Sequence, residues 1–480
     1  MNIRRLICLC VAAVLLPACD GGAPQSQTVS PGITVPPAPT NAPATTIQPT
    51  AAVATIIPSI EPSAMPAASA EPTTPPVSTD SPAQPTSAPA VGLNDELLFL
   101  RQNTLIAFDL GTRTERTLAT NVTEFLPTPD ARTIALIRNL GKNATPGGID
   151  IWLVGRDGSG LRQITSDGDT LVEATPTWAP DGTALAYAAS ASSAPYAHSW
   201  LEWSAWCAVS QVYVRTLADQ TAQKFGPGCD PAISPDGKRI AYATPPSMRQ
   251  DSAATPNAAN AIRLINRQGQ NGWDFATANA APNAQPNKQG LLVYAPSWSP
   301  DGTQLSYQRF IGYRALVDLA MTEISGSFAG KGQPLNDGAG WLLPAQFAPT
   351  GGSVAIVENN FSDARGFGGY DNWSVSVLQL GGTHEIALPD GPITAQGQVV
   401  GRLARAQAAA WAPGGDDLAV LLPPGWKPDL PSDQPFGTEG VAGEVWRWRP
   451  SQGPRERIVA QVDFASPLAW LPGQSGGSAP

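Results

Sequence analysis

The sequence is poor in charge and in histidine. Asp, Glu, Lys and Arg make up 14% of its 480 residues, against about 25% in ordinary soluble domains, and the two histidines, His198 and His384, lie far apart. It contains no His-Glu-x-x-His, no paired Cys-x-x-Cys and no phosphate-loop motif. We therefore predict no catalytic residue, no metal and no cofactor.

Positive charge is the scarcer sign. The chain has 29 Lys and Arg against 39 Asp and Glu, which gives a formal net charge of -10. Binding to nucleic acid depends on a positive field that attracts phosphates. The composition therefore predicts no nucleic-acid partner.

The N-terminal apolar run is too short to span a bilayer. Arg4 and Arg5 precede apolar residues 6–16, whereas a spanning helix needs about 20 residues. The following Leu16-Pro17-Ala18-Cys19 resembles the lipobox of bacterial lipoproteins, in which the cysteine is acylated. An ordinary signal peptide with an incidental cysteine is the alternative. The resemblance implies a signal peptide at 1–18, a lipid on Cys19, and a membrane-anchored, extracytoplasmic protein of the bacterial cell envelope.

Residues 19–92 lack the means to build a core. From residue 24 to residue 92 there is no aromatic side chain, and 16 of the 49 prolines lie there among Ala, Thr and Ser. Such a segment cannot bury enough apolar surface to fold, and dense proline keeps it extended. We predict a disordered stalk that holds a globular head away from the membrane.

Tryptophans and a repeated Pro-Asp-Gly turn begin after residue 92. The turn is followed by an apolar, small, apolar triplet that predicts a strand, and further alternating segments predict a third and a fourth strand. A period of about 50 residues with four strands is typical of a propeller blade. Clear copies span 178–187, 233–242 and 298–307; weaker ones span 127–136, 347–356 and 411–420; a fragment lies at 470–473.

These repeats resemble those of TolB-type β-propellers. The resemblance covers residues 93–473 and implies an all-β propeller, with 474–480 as a disordered tail, but says almost nothing about function. Six complete copies and one shared unit predict seven blades, with six or eight as alternatives. Strands at 96–100, 105–109 and 115–118 would form the second, third and fourth strands of the blade whose first strand is at 466–471, and this shared blade would close the ring.

The predicted loops are unequal on the two faces. Pro-Asp-Gly turns and other short connections, including Gly381-Gly382, fall on one face, which we call the turn face. Long insertions fall on the other, the long-loop face, where binding sites are commonly built. These insertions are 138–148, 189–210, 245–261, 276–292, 358–373, 389–407 and 422–443.

Aromatic residues in these insertions are the candidate binding surface. The richest insertion carries three tryptophans spaced by three, which form either a recognition surface or internal packing, because exposed indoles are costly in a monomer. The candidates are Tyr196, Trp200, Trp203, Trp206, Phe367, Tyr370, Trp373 and Trp426.

Two cysteines, Cys207 and Cys229, remain in the predicted head. An extracytoplasmic location permits a disulfide between them, and two buried free thiols are the alternative.

Two functions from different classes fit this pattern. The first is a non-catalytic scaffold that binds an envelope protein, peptide or glycan through the long-loop face. The second is a lyase or glycosidase with acidic residues in the central channel.

Overall fold

The chain divides into two compact units, residues 1–83 and 84–480, and all residues described below belong to the second. The predicted signal peptide, Cys19 and the stalk lie outside the described residues. A computed structural model describes residues 94–141, 148–165, 171–191, 200–249, 257–277, 292–311, 316–327, 329–336, 338–360, 369–386, 392–428 and 440–474.

The described chain is almost entirely β-structure. We group its strands into seven antiparallel units, named A to G along the chain; units B and C belong to one eight-stranded sheet, because Ile149 and Val172 pair in parallel. Unit A consists of Ala469–Leu471 (β31), Glu96–Arg101 (β1), Thr104–Asp109 (β2) and Glu115–Ala119 (β3), and unit B of Val122–Pro127 (β4), Thr133–Gly141 (β5), Gly148–Gly155 (β6) and Arg162–Gln163 (β7). Unit C consists of Val172–Trp178 (β8), Ala184–Ser190 (β9), Gln211–Thr216 (β10) and Ala222–Pro227 (β11). Unit D consists of Cys229–Ile233 (β12), Arg239–Ala243 (β13), Ala261–Asn266 (β16) and Trp273–Thr277 (β17).

In unit F the first strand is split into two short pieces that both pair with the second strand. Unit E consists of Leu292–Trp298 (β18), Gln304–Ile311 (β19), Leu316–Glu323 (β20) and Gln333–Pro334 (β21). Unit F consists of Trp341–Leu342 (β22), Gln346–Phe347 (β23), Ser353–Asn359 (β24), Trp373–Ile386 (β25) and Ile393–Ala404 (β26). Unit G consists of Ala408–Trp411 (β27), Leu418–Leu422 (β28), Gly443–Arg449 (β29) and Gly453–Val462 (β30).

The first strands lie toward the axis and the fourth strands face outward. β12 packs against both β8 and β18, the first strands of the neighbouring units, whereas β11 and β17 are largely exposed. The small residue at the centre of each second strand is fully buried in all six complete repeats, which lets adjacent units approach closely. The predicted β-propeller fold is confirmed, and the blade number stays a prediction.

The Pro-Asp-Gly turns form as the motif predicts. In three of them the carboxylate of Asp181, Asp236 or Asp301 accepts a hydrogen bond of 3.0 Å from the backbone N–H two residues on. The glycine that follows has a φ of 67° to 70°, a left-handed conformation that disfavours other residues. The pKa of all three carboxyls is lowered, chiefly by the backbone N–H of Thr183 for Asp181 and by the hydroxyls of Ser234 and Ser299 for Asp236 and Asp301.

The motif tryptophans join consecutive units. The indole N–H of Trp178 in unit C donates to the carbonyl of Leu126 in unit B at 2.9 Å. Trp298 in unit E makes the same bond to Ala232 in unit D at 3.0 Å, and Trp411 in unit G bonds to unit F at 2.9 Å. Each indole therefore satisfies its polar N–H on the first strand of the preceding unit.

The two ends of the propeller meet in unit A. β31 pairs antiparallel with β1, as the sequence predicts. A buried arginine of unit B, Arg156, fastens this junction: its guanidinium donates to Glu96 at 2.6 Å, to the carbonyl of Pro472 at 2.7 Å and to the carbonyl of Asn94 at 3.0 Å. One side chain thus contacts both ends of the ring.

The prediction for unit F is wrong in one respect. β25 continues through Gly381 and Gly382 instead of turning there, and most of the predicted loop 389–407 forms β26. The register shifts between Gln379 and Thr383, so the two glycines sit in a bulge with positive φ. The result is a long hairpin on the turn face, which we call the unit F arm.

Among the described residues, three of the insertions between second and third strands carry further secondary structure. They contain a helix, Trp200–Val209 (α1), a hairpin of Ser247–Arg249 (β14) and Asn257–Ala259 (β15), and a 3-10 turn, Tyr370–Asn372. Within the described residues, no helix has the length and apolar character needed to cross a membrane.

We expect Arg156→Met to lower the free energy of unfolding by about 3–5 kcal/mol, because it leaves the buried Glu96 with only the partly exposed Arg116 as partner. Urea denaturation measures this difference. The matched control, Arg132→Met in the same unit, removes an exposed charge and should change stability by less than about 0.5 kcal/mol. Equal effects of the two substitutions would contradict the role given to Arg156; partial recovery in Glu96→Leu/Arg156→Met would support it.

Candidate functional site

Most of the predicted binding aromatics are core residues. Trp203, Trp206, Tyr370, Trp373 and Trp426 are all buried, so none of the five presents an exposed surface, and for Trp203 and Trp206 the internal-packing alternative holds. Tyr196 and Phe367 lie outside the described residues, as does the side chain of Trp200.

The tryptophans of α1 hold the helix against the propeller. Trp203 stacks on Tyr294 of β18, with ring centroids 4.7 Å apart, and its indole N–H donates to the Asp230 carboxylate at 2.8 Å. Tyr294 in turn stacks on Trp341 of unit F at 5.4 Å. The aromatic side chains therefore connect the unit C insertion with units D, E and F, which explains their burial.

A disulfide fixes the other end of α1. The Sγ atoms of Cys207 in α1 and Cys229 at the start of β12 are 2.11 Å apart. The bond closes a loop with a sequence separation of 22 that contains β10 and β11, and it thereby restricts the unfolded chain. α1 is thus bound to unit D both covalently and through Asp230.

The insertions of units F and G are also linked. The hydroxyl of Tyr370 donates to the carbonyl of Val441 at 3.0 Å, and the Arg405 guanidinium donates to Asp371 at 2.8 Å. Trp426 packs edge-on against Trp446 at 5.3 Å. These aromatics hold the long loops in place rather than presenting a surface.

Two carboxylates on first strands, Glu124 and Asp230, interact through their charges, and we call them the acidic pair. Asp230 of β12 has a φ of 50° at a bulge, where it accepts hydrogen bonds from Trp203 and, at 3.1 Å, from the backbone N–H of Ala295. Burial raises the pKa of Asp230 despite these bonds. Burial and, secondarily, the charge of Asp230 raise the pKa of Glu124 in β4 to about 7.

Polar atoms without protein partners occur on the same set of strands. The Tyr294 hydroxyl, whose pKa is raised by burial and by the charge of Asp230, has no hydrogen-bond partner within the described ranges. The same holds there for the Thr175 hydroxyl and the Gln407 amide. Buried polar groups are normally satisfied, so these groups are available to a bound molecule or solvent.

Sequence reasoning missed these positions, although a signal was present. Thr175, Asp230 and Ala295 all have positive φ and directly precede a proline two residues before the motif Trp or Ile. The residue before proline avoids the right-handed helical region, and a left-handed residue in a strand produces a bulge. The recurring proline therefore marks the bulges on the first strands of units C, D and E.

The described part of the chain shows no metal centre or histidine-based site. It contains no group of three or more His, Cys, Asp or Glu side chains placed to hold a metal ion. His384 lies in the unit F arm, where Nδ1 is 2.8 Å from the Gly397 carbonyl; His198 lies outside the described residues.

The chain matches no protein-family model, and no curated protein is significantly similar to it. Its structural neighbours are TolB-type and other β-propeller proteins. TolB from Acinetobacter baumannii is 14% identical, with 77% of this chain and 79% of that chain covered and a TM-score of 0.38. The Cps50 (Swd1) β-propeller domain of Myceliophteria thermophila is 11% identical, with 70% and 86% covered and a TM-score of 0.43.

An oligogalacturonate lyase from Vibrio parahaemolyticus is 11% identical, with 66% of this chain and 80% of that chain covered and a TM-score of 0.42. At such identities and TM-scores, these similarities carry no argument about function.

We expect the stability of the protein to fall as pH rises from about 4.5 to about 7. The raised pKa of Glu124 means that the folded state binds more protons than the unfolded state in this window. The loss is at most about 3 kcal/mol and smaller in proportion to the partial exposure of Glu124. Urea denaturation across pH 4–8 should show a flatter profile for Glu124→Gln, but not for the exposed control Glu456→Gln. Identical profiles for Glu124→Gln and the unsubstituted protein would contradict the burial of this charge.

Proposed function

We propose that the protein is a non-catalytic binding scaffold of the bacterial cell envelope. In this proposal a lipid on Cys19 anchors the chain to the membrane, residues 19–92 act as a spacer, and the long-loop face of the propeller binds a protein, peptide or glycan. The observation that carries the proposal is that the described parts of three insertions on this face, in units C, F and G, are held by contacts with the propeller or with one another.

Fixed insertions favour binding because little conformational entropy is lost when a partner docks. α1 is attached through Cys207, Trp203 and Trp206, and the insertions of units F and G share the bond from Tyr370 to Val441. The buried aromatic side chains hold the backbone of these insertions, so the residues that stay exposed there are presented on a fixed support.

Two exposed apolar residues mark the outer surface of these insertions. Val209 at the end of α1 is 53% exposed, and Val441, just before β29, is 38% exposed. Both precede the third strand of their unit, so both lie on the long-loop face. On a face used for binding, such exposed apolar side chains would add contact area to the interface.

We expect Val209→Asp and Val441→Asp each to weaken partner binding by about tenfold or more, because each places a charge in an apolar contact. Binding is measured by affinity capture of envelope proteins and by titration with soluble peptides and glycans. The matched control is Val399→Asp, on the outer strand of unit F and 46% exposed, which should leave binding unchanged. Binding that is insensitive to both long-loop variants, or equally weakened by the control, would count against this face.

The acidic pair favours a second candidate function, a lyase or glycosidase that acts in the channel. Glu124, with its pKa near 7, is suited to donate or accept a proton, and Asp230 is held in place by two hydrogen bonds. Carboxylates with a structural role commonly form an ion pair with a basic side chain. Glu124 and Asp230 have no basic partner among the hydrogen bonds and ion pairs of the described residues.

If the channel is catalytic, the protein should depolymerise a neutral or acidic polysaccharide. Glu124→Gln should then reduce turnover by about 100-fold or more while leaving the fold intact. The readout is the release of reducing ends or unsaturated products, with Glu456→Gln as the control. Absence of product from a polysaccharide panel, or unchanged turnover in Glu124→Gln, would reject this second function.

A further inference from the structure

The turn face carries a cavity of about 310 Å³ between unit E and the unit F arm. Its volume lies at the lower end of the ~300–1,000 Å³ usual for small-molecule sites. It is far from the long-loop insertions in the fold, since the residues around it stand at the turn-face ends of β19, β20, β21 and β26. A ligand here is therefore a matter separate from the scaffold function proposed above.

Two departures from the regular unit create this cavity. In unit E the fourth strand, β21, has two residues and pairs only with Ala320 and Met321, so it ends before the last residues of β20. In unit F the arm continues past the bulge, pairing Thr383 with Gln396, and thereby brings β26 alongside the open end of unit E. One unit is shortened where its neighbour is lengthened, which leaves a recess between them.

The recess is lined mainly by hydrogen-bonding side chains. Three glutamines contribute amides from three different strands: Gln304 from β19, Gln333 from β21 and Gln396 from β26. The buried thioether of Met321 supplies an apolar surface. Each amide offers both donors and an acceptor, and none makes a side-chain hydrogen bond within the described ranges.

One charge of each sign completes the lining. Glu323 ends β20 and Lys331 lies in the turn that follows; both are exposed, and neither forms an ion pair in the part of the chain that the structure describes. An anionic ligand would meet the Glu323 carboxylate, and a cationic ligand would meet the Lys331 ammonium. No lining residue is aromatic, so the recess lacks the stacking surface that sugars usually use.

We propose that this cavity binds a small amino-acid zwitterion, as a free amino acid or a dipeptide. Glu323 pairs with the α-ammonium group, Lys331 pairs with the α-carboxylate, and the glutamine amides bond the polar atoms between them. Met321 accommodates a small apolar side chain.

The test is calorimetric titration of the full-length protein with alanine, alanylalanine, N-acetyl-alanylalanine and alanylalanine amide. We expect alanine or alanylalanine to bind, and comparison of the two identifies which source the site takes. Glu323→Gln and Lys331→Met should each weaken binding by about tenfold or more. The control Lys224→Met, an exposed lysine of β11, should leave binding unchanged.

Pairing each variant with the matching blocked ligand separates direct contact from general electrostatics. N-acetylation should weaken binding to the unsubstituted protein but cause no further loss in Glu323→Gln, because both changes remove the contact between Glu323 and the α-ammonium group. Likewise, amidation should cause no further loss in Lys331→Met, because both changes remove the contact between Lys331 and the α-carboxylate. Gln396→Trp fills the recess without a charge change and should abolish binding. The proposal is overturned if neither free ligand binds at up to about 10 mM, or if the blocked peptides bind as well as the free one.

Failure of this test leaves the scaffold function intact, because Val209 and Val441 are on the opposite face. Equally, loss of partner binding in the valine variants says nothing about the recess.

Discussion

Ring closure is the constraint on which the propeller depends. Each unit buries its apolar faces only against its neighbours, so an open ring would expose two of them together with an unpaired strand edge. Unit A prevents this by taking β31 from one end of the described chain and β1 to β3 from the other. Arg156 then contacts both ends from unit B, which makes the junction dependent on a third part of the sequence.

Once the ring is closed, its two faces differ in how they are built. The long-loop face carries insertions whose large aromatic side chains are directed into the propeller, so their order comes from burial and from the disulfide between Cys207 and Cys229. The turn face is made of short Asp-capped turns, interrupted by the unit F arm. Different residues therefore stabilise the face and contact a partner. The buried aromatics stabilise the insertions, and smaller residues such as Val209 and Val441 remain exposed.

The fold could be predicted from the sequence because its determinants are local and repeated. Pro-Asp-Gly determines the turn backbone, and the apolar, small, apolar triplet determines the buried strand, so each copy of the repeat determines its own local structure. The unit F arm could not be foreseen, because Gly381-Gly382 suits a hairpin turn and a bulge equally well, and the pairing of β25 with β26 decides between them.

The candidate site was harder to predict for a related reason. Trp203 and Trp206 sit in a loop by sequence, and only their contacts with Tyr294 and Asp230, residues of other units, show that they face inward. Likewise, Glu124 and Asp230 are more than a hundred residues apart in sequence, and their interaction follows from the ring geometry alone. Local patterns therefore predict elements, whereas sites assembled from several units depend on tertiary packing.

The indole hydrogen bonds have a consequence for how the ring comes apart. They run from unit C to B, from E to D and from G to F, while units B, D and F have Pro, Ile or Phe at the corresponding position and make no such bond backward. These bonds therefore tie the units in three pairs, B with C, D with E and F with G, whereas the disulfide between Cys207 and Cys229 joins C to D and Arg156 joins B to A. Local opening within a pair and local opening between pairs must therefore break different kinds of contact, so the propeller has lower symmetry in its fluctuations than its repeats suggest.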